Sequence, residues 1–234
     1  PQANTQIGGR VALTIRRNIP RASAELIAQF RNQPTGFITD AFNGKGCLDY
    51  RIKALDENFS FCGSAITAYC GPMDNLAAMA ALDVAKPGDV IVIATKNDET
   101  AAVIGDHWAY WAKKIGVVGV VCDGLVRDII GLQRVGLPVF ARGLTPNSGF
   151  RNGPGEVNGG VSCGGVTIEP GDIVVGDRDG VVSIPLAAGE EVAARLKLVF
   201  EKEMAVEDEL KRISEKKFWN EESVKNRGGV RYLD

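Results

Sequence analysis

The chain has 234 residues, of which 45% are hydrophobic and 24% charged, ordinary values for a globular protein with a sizeable core. Its 27 lysines and arginines against 29 acidic residues give a formal net charge of −2, without the basic excess that a general nucleic-acid binder needs. No apolar run approaches the roughly 18 residues of a membrane span, and the first 21 residues carry four arginines without the apolar block of a secretory signal. We therefore expect a soluble, cytoplasmic protein with neither nucleic acid nor membrane as a partner.

Cysteine and histidine usage argues against several common chemistries. The five cysteines form no CxxC pair, and their odd number favours reduced thiols over a disulfide framework or a zinc site. Cys122 ends a predicted buried strand, where a free cysteine packs as a small hydrophobic side chain. His107 is the only histidine in the sequence, so a His-rich metal site or a Ser-His-Asp mechanism has little to build on.

The sequence from 71 to 143 alternates between helical and strand patterns. Ala-rich and amphipathic segments predict helices, apolar β-branched runs predict buried strands, and Gly116 and Gly136 suit helix ends. In chain order these are a helix over 74–85 capped by Asp74 or Asn75, a strand over 90–94, a helix over 106–115, a strand over 117–122 ending in the turn Asp123-Gly124, a helix over 127–135 and a strand over 137–141. Such alternation predicts parallel strands with crossover helices, and ligands gather at the carboxyl ends of such strands.

Beyond residue 146 the composition shifts. The stretch 147–165 holds seven glycines without apolar periodicity, which predicts an irregular loop or a set of short strands. A turn over 176–180 leads into a predicted strand over 181–184, and a long charged helix over about 187–217 is predicted to serve in assembly. An extended arm is predicted over 220–234. Because no linker separates these parts, residues 1–234 are predicted to form one α/β/α-type domain with a central mixed or parallel sheet.

The predicted C-terminal helix has an apolar stripe that contains one carboxylate, Glu203. One interpretation is that the helix rotates, so that Phe200 and Met204 take over the buried side. The other is that a carboxylate is required where this helix meets another subunit. The stripe repeats by four and three, as in a helix packed against a partner. It consists of Val192, Leu196, Val199, Val206, Leu210 and Ile213.

Four residues at two predicted strand ends carry the candidate chemistry: Gly105, Asp106, Arg127 and Asp128. Asp106 begins a helix, where free backbone N–H groups favour anions such as carboxylates. Arg127 and Asp128 follow the next strand, so two carboxylates and one guanidinium are predicted to face the same crevice. An arginine fork matches a carboxylate or an enolate oxygen, and aspartate is a hard oxygen ligand for Mg²⁺ or Mn²⁺.

Blander interpretations of these residues stay open on spacing alone. Asp106 is then only a helix N-cap, and Arg127 with Asp128 only a surface ion pair. His107 is either a general base or a solvated side chain of the first helical turn. The aromatic residues of the same helix have the spacing of core or subunit contacts rather than that of a stacking platform. They are Trp108, Tyr110 and Trp111.

Twenty residues separate Gly105-Asp106 from Arg127-Asp128. Further motifs lie before and after this pair. In chain order these motifs are Thr39-Asp40-Ala41, GPMDN at 71–75, AKPGD at 85–89, GVVCDG at 119–124 and GDIVVGDRDGV at 171–181. Together they cover roughly residues 35–185. In this the chain resembles the 4-hydroxy-4-methyl-2-oxoglutarate / 4-carboxy-4-hydroxy-2-oxoadipate aldolase family. That family shares its fold with the regulator of ribonuclease activity A and with proteins once labelled dimethylmenaquinone methyltransferases.

The resemblance implies a metal-dependent pyruvate aldolase with a fold of the swivelling β/β/α type. It implies that Asp128 holds a Mg²⁺ or Mn²⁺ ion, largely through water, and that Arg127 contacts the keto or enolate oxygen of the pyruvate unit. Backbone amides of residues 105–108 would bind the pyruvate carboxylate. The bulky His107 and Trp108 would then shape the substrate pocket.

The resemblance also implies further contributions to the site. Asp106 would orient a metal-bound water for proton transfer. A glutamate from an adjoining subunit belongs to family sites, and Glu203 is the candidate here, with Glu201 behind it. The implied assembly is a homotrimer or a homohexamer.

The predicted function is cleavage of a 4-hydroxy-2-oxo acid, such as 4-hydroxy-4-methyl-2-oxoglutarate, to pyruvate and a second 2-oxo acid, with decarboxylation of oxaloacetate as a side activity. One alternative is a protein-binding regulator resembling the regulator of ribonuclease activity A. That branch tends to lack the aspartate after the arginine, which is present here as Asp128. Another is a related enzyme for a different oxo acid, such as a decarboxylase or a sugar-acid aldolase.

Overall fold

The computed structural model describes residues 11–212 and 221–233, and the chain divides into two compact units, Pro1–Lys197 and Leu198–Asp234. The described residues form eleven strands, six α-helices and two 3₁₀-helices. The strands are β1 (Leu13–Ile15), β2 (Lys53–Ala54), β3 (Phe61–Tyr69), β4 (Asp89–Ala94), β5 (Gly119–Val126), β6 (Val139–Leu144), β7 (Gly155–Val157), β8 (Val161–Cys163), β9 (Val166–Ile168), β10 (Ile173–Asp177) and β11 (Gly180–Ile184). The α-helices are α1 (Ala24–Phe30), α2 (Thr35–Ala41), α3 (Leu76–Ala81), α4 (Asp106–Lys114), α5 (Ile129–Val135) and α6 (Gly189–Arg212).

Nine of these strands build one mixed sheet. Its centre consists of β3, β4, β5 and β6, which are parallel and adjacent in that order, with α3, α4 and α5 in the connections between them. At its edges, β7 and β10 are antiparallel to β3, β11 to β10 and β2 to β6, while β1 is parallel to β7. The pair β8–β9 forms a separate antiparallel ribbon. The predicted central sheet is therefore confirmed, and it is mixed.

Burial on both faces explains the composition of the central strands. All six residues of β4 are buried, as are eight of the nine residues of β3. Parallel strands that are covered on both faces read as continuous apolar runs, which is why β4 is predictable from the sequence. The sequence patterns do not single out β3, because several of its residues are small. One of them, Gly63, is required by close packing, since an added Cβ would lie 2.3 Å from the carbonyl oxygen of Gly88.

The helices of the central region agree with prediction in place, and α4 also agrees in length to within one residue. α5 begins two residues later than predicted, so Arg127 lies before the helix and Asp128 is its N-cap. α4 and α5 are followed by Gly116 and Gly136, whose φ angles of 92° and 66° lie in the left-handed region that glycine tolerates at helix ends. In place of the helix predicted over 74–85, the structure has the shorter α3, which contains six residues. The loop 147–165 contains β7 and β8, as the alternative of short strands predicted.

The turn predicted at Asp123-Gly124 is wrong. β5 continues through both residues to Val126, and only its register against β6 shifts, between Cys122 and Leu125. A short irregularity of this kind inserts extra backbone into a strand without ending it. The carboxyl end of β5 is therefore at Val126, beyond the position at which Gly124 predicted a turn.

A buried carboxylate stabilises this irregularity. Asp123 Oδ1 accepts hydrogen bonds from the backbone amide of Thr95, at 2.6 Å, and from its hydroxyl, at 2.9 Å. Burial raises the pKa of Asp123 above its ordinary value. The contact joins the segment that leaves β4 to the irregular part of β5, and these are the two segments that lead to Gly105-Asp106 and Arg127-Asp128.

The long C-terminal helix is observed as α6, preceded by the 3₁₀-helix Leu186–Ala188. Residues 213–217 of the prediction, with Ile213 of the apolar stripe, lie outside the described residues. Of the two residues expected on the buried side if the helix rotates, Phe200 is exposed and Met204 is half-buried, so that interpretation holds only for Met204. The prediction of an extended arm over 220–234 is wrong in part, because Glu221–Arg227 form a 3₁₀-helix.

The five thiols are free, and four of them are buried. Burial raises the pKa of Cys62 and of Cys70 to about 12, which disfavours the reactive thiolate. Cys122 is fully buried, so its prediction as a packed side chain is confirmed. Over the described ranges, no helix is long and apolar enough to cross a membrane.

The start of β4 carries a buried ion pair. Asp89 receives two hydrogen bonds from the guanidinium of Arg21, at 2.8 and 2.9 Å, and a third from the backbone amide of Lys86 at 2.7 Å. The side chain of Asp89 is 2% exposed. Removing one member of such a pair leaves a buried charge without its partner.

We predict that Asp89→Ala lowers the free energy of unfolding by about 3–5 kcal/mol, because the guanidinium of Arg21 and the amide of Lys86 lose their acceptor. Urea denaturation followed by circular dichroism measures the change. Asp83→Ala is the control, since Asp83 is exposed, and we expect a change within about 0.5 kcal/mol. Equal losses in the two variants would contradict a stabilising role for the buried pair.

Candidate active site

Two backbone hydrogen bonds bring the predicted motifs together. The chain leaving β4 passes beside the end of β5, where the amide of Val103 donates to the carbonyl of Leu125 at 2.9 Å. The amide of Arg127 donates in turn to the carbonyl of Ile104 at 3.1 Å. Gly105-Asp106 and Arg127-Asp128 therefore lie side by side at the carboxyl ends of adjacent parallel strands, as predicted.

Asp106 is the first residue of α4 and not its N-cap, which is Gly105. Its Oδ1 accepts a hydrogen bond from the amide of His107 at 2.7 Å. Its Oδ2 lies against α5, where an added Cβ on Gly131 would come within 2.2 Å of it. Gly131 therefore leaves the space that this carboxylate occupies, and the sequence analysis did not identify it.

Asp128 has a left-handed backbone conformation, which aspartate adopts more readily than most other residues. Its φ is 62° and its ψ is 44°, the left-handed region, at the N-cap of α5. Non-glycine residues held in this region cluster at functional sites. Its Oδ2 lies 3.3 Å from Nε of Arg127, and an added Cβ on Gly105 would lie 2.4 Å from the same oxygen. Gly105 thus makes room for the Asp128 carboxylate as Gly131 does for that of Asp106.

A cavity of about 350 Å³ opens at this edge of the sheet, and we call it the strand-end cavity. The predicted site residues line it together, and the side chains of Arg127 and Asp128 are 42% and 44% exposed. The ion pair between Arg127 and Asp128, which is the alternative interpretation of these residues, is thus present, and it forms part of the cavity wall. The predicted residues in the lining are Gly105, Asp106, His107, Trp108, Arg127 and Asp128. Residues not predicted as site residues also line it, among them Asn75, Trp111, Ser148 and Arg151.

The aromatic residues of α4 divide between core and surface. Trp108 is 5% exposed, and its indole Nε1 donates to the carbonyl of Ala78 at 2.9 Å. Tyr110 and Trp111 are exposed, so their prediction as core residues is wrong, and the prediction of a subunit contact stays open. His107 is exposed beside the cavity.

The carboxylates of the site suit a hydrated divalent ion. No group of three or more histidine, cysteine, aspartate or glutamate side chains with metal-binding geometry occurs among the residues that the structure describes. Mg²⁺ commonly uses one or two protein carboxylates and keeps its other ligands as water or substrate. Because Gly105 has no side chain, the Asp128 carboxylate has room beside Arg127 on the cavity wall. Asp128 therefore fits the role of a single protein ligand.

Glu203 lies on α6 within the second unit, where it is half-buried. Glu201 is exposed on the same helix. Their assignment as residues that one subunit contributes to another stays a prediction.

The cavity lies within the region that defines the family of this protein. The model of the RraA-like family, described as Aldolase/RraA, matches residues 35–183, and the chain belongs to this family. The resemblance inferred from the ordered motifs is thereby confirmed.

Individual relatives place the chain more closely. It is 44% identical to a protein of Halalkalibacterium halodurans named "Putative 4-hydroxy-4-methyl-2-oxoglutarate aldolase", over 76% of this chain and 84% of that protein. An uncharacterized protein from Pseudomonas syringae pv. tomato has a similar structure, with a TM-score of 0.75 and 26% identity over 83% of this chain and 92% of that one. Streptomyces coelicolor RraAS2, described as an unusual member of the RNase ES inhibitor RraA family, gives a TM-score of 0.73 and 27% identity over 82% of this chain and all of that one.

We predict that Gly131→Ala destabilises the protein by about 1–3 kcal/mol, because the added methyl group overlaps the Asp106 side chain between α4 and α5. Thermal or urea unfolding measures the change. Gly36→Ala is the matched helical control, since nothing lies within 4 Å of a Cβ added there. We expect that control to be neutral or stabilising by up to about 1 kcal/mol. A Gly131→Ala protein as stable as the control would show that Gly131 does not limit the space at Asp106.

Proposed function

We propose that the protein is a divalent-metal-dependent aldolase that releases pyruvate from a 4-hydroxy-2-oxo acid such as 4-hydroxy-4-methyl-2-oxoglutarate. The observation that carries this proposal is the placement of Asp106, Arg127 and Asp128 on the wall of one cavity at adjacent strand ends. The name of the relative from Halalkalibacterium halodurans supports the same activity. The proposed cofactor is Mg²⁺ or Mn²⁺, and a cytoplasmic location stays a prediction.

The proposed roles follow from the chemistry of each group. The guanidinium of Arg127 donates to the C2 keto oxygen of the substrate, and its donors are oriented by the contact of Nε with Asp128. The amide of His107 already donates to Asp106, and the other amides at the start of α4 would bind the C1 carboxylate. Asp128 would hold the metal ion, and Asp106 would orient a water molecule that moves the proton.

Charge stabilisation explains why these groups are needed. Cleavage of the C3–C4 bond leaves negative charge on the C2 oxygen of the pyruvate enolate. A divalent ion supplies Lewis-acid stabilisation of that charge. Arg127 directs its donors at the same oxygen, so its hydrogen bonds strengthen as the charge develops. Loss of CO₂ from oxaloacetate leaves the electron pair of the broken C–C bond on the same enolate, and we propose this decarboxylation as a side activity.

A protein-binding role is the second candidate, and the likeness to Streptomyces coelicolor RraAS2 supports it. A regulator that acts by its surface needs the fold but not a metal ligand beside Arg127. Asp128 places a carboxylate 3.3 Å from Nε of Arg127, which favours the enzymatic role.

We predict pyruvate release from 4-hydroxy-4-methyl-2-oxoglutarate and from oxaloacetate in the presence of Mg²⁺ or Mn²⁺, and its loss in EDTA. A lactate dehydrogenase-coupled assay measures it. Arg127→Ala and Asp128→Ala should each lower turnover by about 100- to 1000-fold, because each removes stabilisation of the developing charge. Arg134→Ala and Asp83→Ala are the controls, since both residues are exposed and outside the strand-end cavity.

The outcomes of this assay separate the candidates. Wild-type turnover in either site variant would contradict the proposed roles. Silence of the wild type on both substrates with either metal would favour a different oxo acid. Silence on a broader panel of oxo acids would favour the protein-binding role.

We further propose that the enzyme is a homotrimer or a homohexamer in which Glu203 of one subunit completes the site of the next. We predict that Glu203→Ala and Asp128→Ala proteins are each inactive alone and regain activity when their subunits are mixed. In a ring of head-to-tail contacts, random mixing leaves about a quarter of the sites with both carboxylates intact. Mixing Arg127→Ala with Asp128→Ala subunits is the control, because these two residues belong to one subunit. Recovery in the control, or none in the first mixture, would contradict a shared site.

A further inference from the structure

Residues 95–105 connect β4 to α4, and we call them the β4–α4 segment. In this described part of the chain, neither a helix nor a strand lies between Ala94 and Asp106, so the position of the segment depends on individual contacts. Its residues 101–104 are nevertheless buried. The segment ends at Gly105, the N-cap of α4, and leads directly into Asp106. Whatever fixes the segment therefore also fixes the start of α4 at the strand-end cavity.

The β4–α4 segment begins with a bend at residues 95–98. Its two central residues, Lys96 and Asn97, have φ angles of 58° and 61°. Such angles are uncommon for residues other than glycine, and asparagine adopts them more readily than lysine does. Two of them in succession need contacts that hold the backbone in place. The amide of Asp98 makes one such contact, since it donates to the hydroxyl oxygen of Thr95 at 3.0 Å.

Asp123, on the neighbouring strand β5, holds the bend from the other side. Its side chain is buried, and its Oδ1 accepts from both the amide and the hydroxyl of Thr95. Burial raises the pKa of Asp123, whereas the donors of Thr95 and the amide of Asn97 oppose that rise. A carboxylate that is shielded from water binds such donors more strongly than an exposed one does. One side chain of β5 thus binds the first residue of the segment twice.

Close packing at Gly124 brings the bend against β5. A Cβ added to Gly124 would lie 2.7 Å from the hydroxyl oxygen of Thr95 and 3.1 Å from the carbonyl oxygen of Asp98. Asp123 and Gly124 both belong to the stretch in which the register of β5 against β6 shifts. The irregularity of β5 therefore provides the carboxylate and the space that the bend needs.

Further hydrogen bonds connect the bend to the site. Nδ2 of Asn147 donates to the carbonyl of Thr100 at 2.8 Å, and the amide of Ala102 donates to the carbonyl of Asn147 at 2.9 Å. The next residue, Val103, donates to the carbonyl of Leu125 at the end of β5. The segment is thus bound to β5 at both of its ends, by Asp123 at the bend and by Leu125 next to the site.

We propose that Asp123 is a positioning residue of the proposed active site, which acts through Thr95 to hold the β4–α4 segment and with it Asp106 at the strand-end cavity. This role rests on the proposed function, in which Asp106 orients the water molecule that moves the proton. Arg127 and Asp128 follow on the same strand as Asp123, so loss of the contact displaces Asp106 relative to them. A misplacement of about 1 Å can lower the rate of a reaction about 100-fold.

Two substitutions of Thr95 test this role. Thr95→Val keeps the shape of the side chain but removes the hydroxyl that contacts Asp123 and Asp98, whereas Thr95→Ser keeps the hydroxyl. In Thr95→Val, we expect residues 96–105 to exchange their amide hydrogens about 5- to 30-fold faster, with α5 unchanged, as measured by mass spectrometry. Pyruvate release should fall about 10- to 100-fold. Thr95→Ser should resemble the wild type in both measurements.

Thr67→Val is the matched control. The hydroxyl of Thr67 is also buried and donates to the carbonyl of Gly159 at 2.6 Å, outside the β4–α4 segment. This variant should lose stability in urea denaturation yet keep wild-type turnover and wild-type exchange in residues 96–105. An equal loss of turnover in Thr67→Val would overturn the positioning role, because a general loss of stability would then explain both variants.

Asp123→Asn provides a second route to the same contact. It keeps the size of the side chain but replaces the charged acceptor with an amide, and we expect the same changes in exchange and turnover as in Thr95→Val. Wild-type exchange in these two variants, or faster exchange without loss of turnover, overturns the positioning role even where the wild type releases pyruvate. A wild type that releases no pyruvate overturns the aldolase function instead. The exchange measurements then decide by themselves whether Asp123 holds the segment.

Discussion

The site of this protein depends on the hydrogen bonds between the chain that leaves β4 and the end of β5. The amides of Val103 and Arg127 bind the carbonyls of Leu125 and Ile104 across this contact. They bring together two motifs that are twenty residues apart in sequence, so that both lie at the same edge of the sheet. The proposed chemistry depends on this placement, because a guanidinium and a carboxylate act on one substrate only when they reach the same cavity. The contact of Asp123, in the irregular stretch of β5, with Thr95 joins the same two segments a second time.

Absent side chains contribute as much to this arrangement as present ones. Gly105 leaves space for the Asp128 carboxylate, and Gly131 leaves space for that of Asp106. Each glycine belongs to the motif or helix opposite the carboxylate that it accommodates, so the two strand ends are adjusted to each other. Dense packing means that even one methyl group matters here. The two carboxylates are therefore held by the shape of the backbone as well as by hydrogen bonds.

The motif Gly71-Pro-Met-Asp-Asn75 gains a physical explanation from its contacts. Asp74 accepts from the amides of 152–153, and Asn75 binds both Phe150 and Val103. The motif thus ties two distant loops to the wall of the cavity. Family membership explains why the motif occurs in order with the others, whereas these contacts explain what it does.

The sequence by itself determined the parallel centre of the sheet and the strand ends at which the candidate site residues lie. Apolar runs, helix-ending glycines and the spacing of Asp106, Arg127 and Asp128 can be recognised from the order of residues along the chain, so the sequence alone predicts what depends on them. Tertiary structure alone decided the rest. β3 has too many small residues to be recognised as a strand, and the turn expected at Asp123-Gly124 is a continuous strand whose pairing with β6 overrides the local preference. Gly131 becomes significant only through Asp106, 25 positions away, because packing acts across space and leaves no mark in the neighbouring sequence.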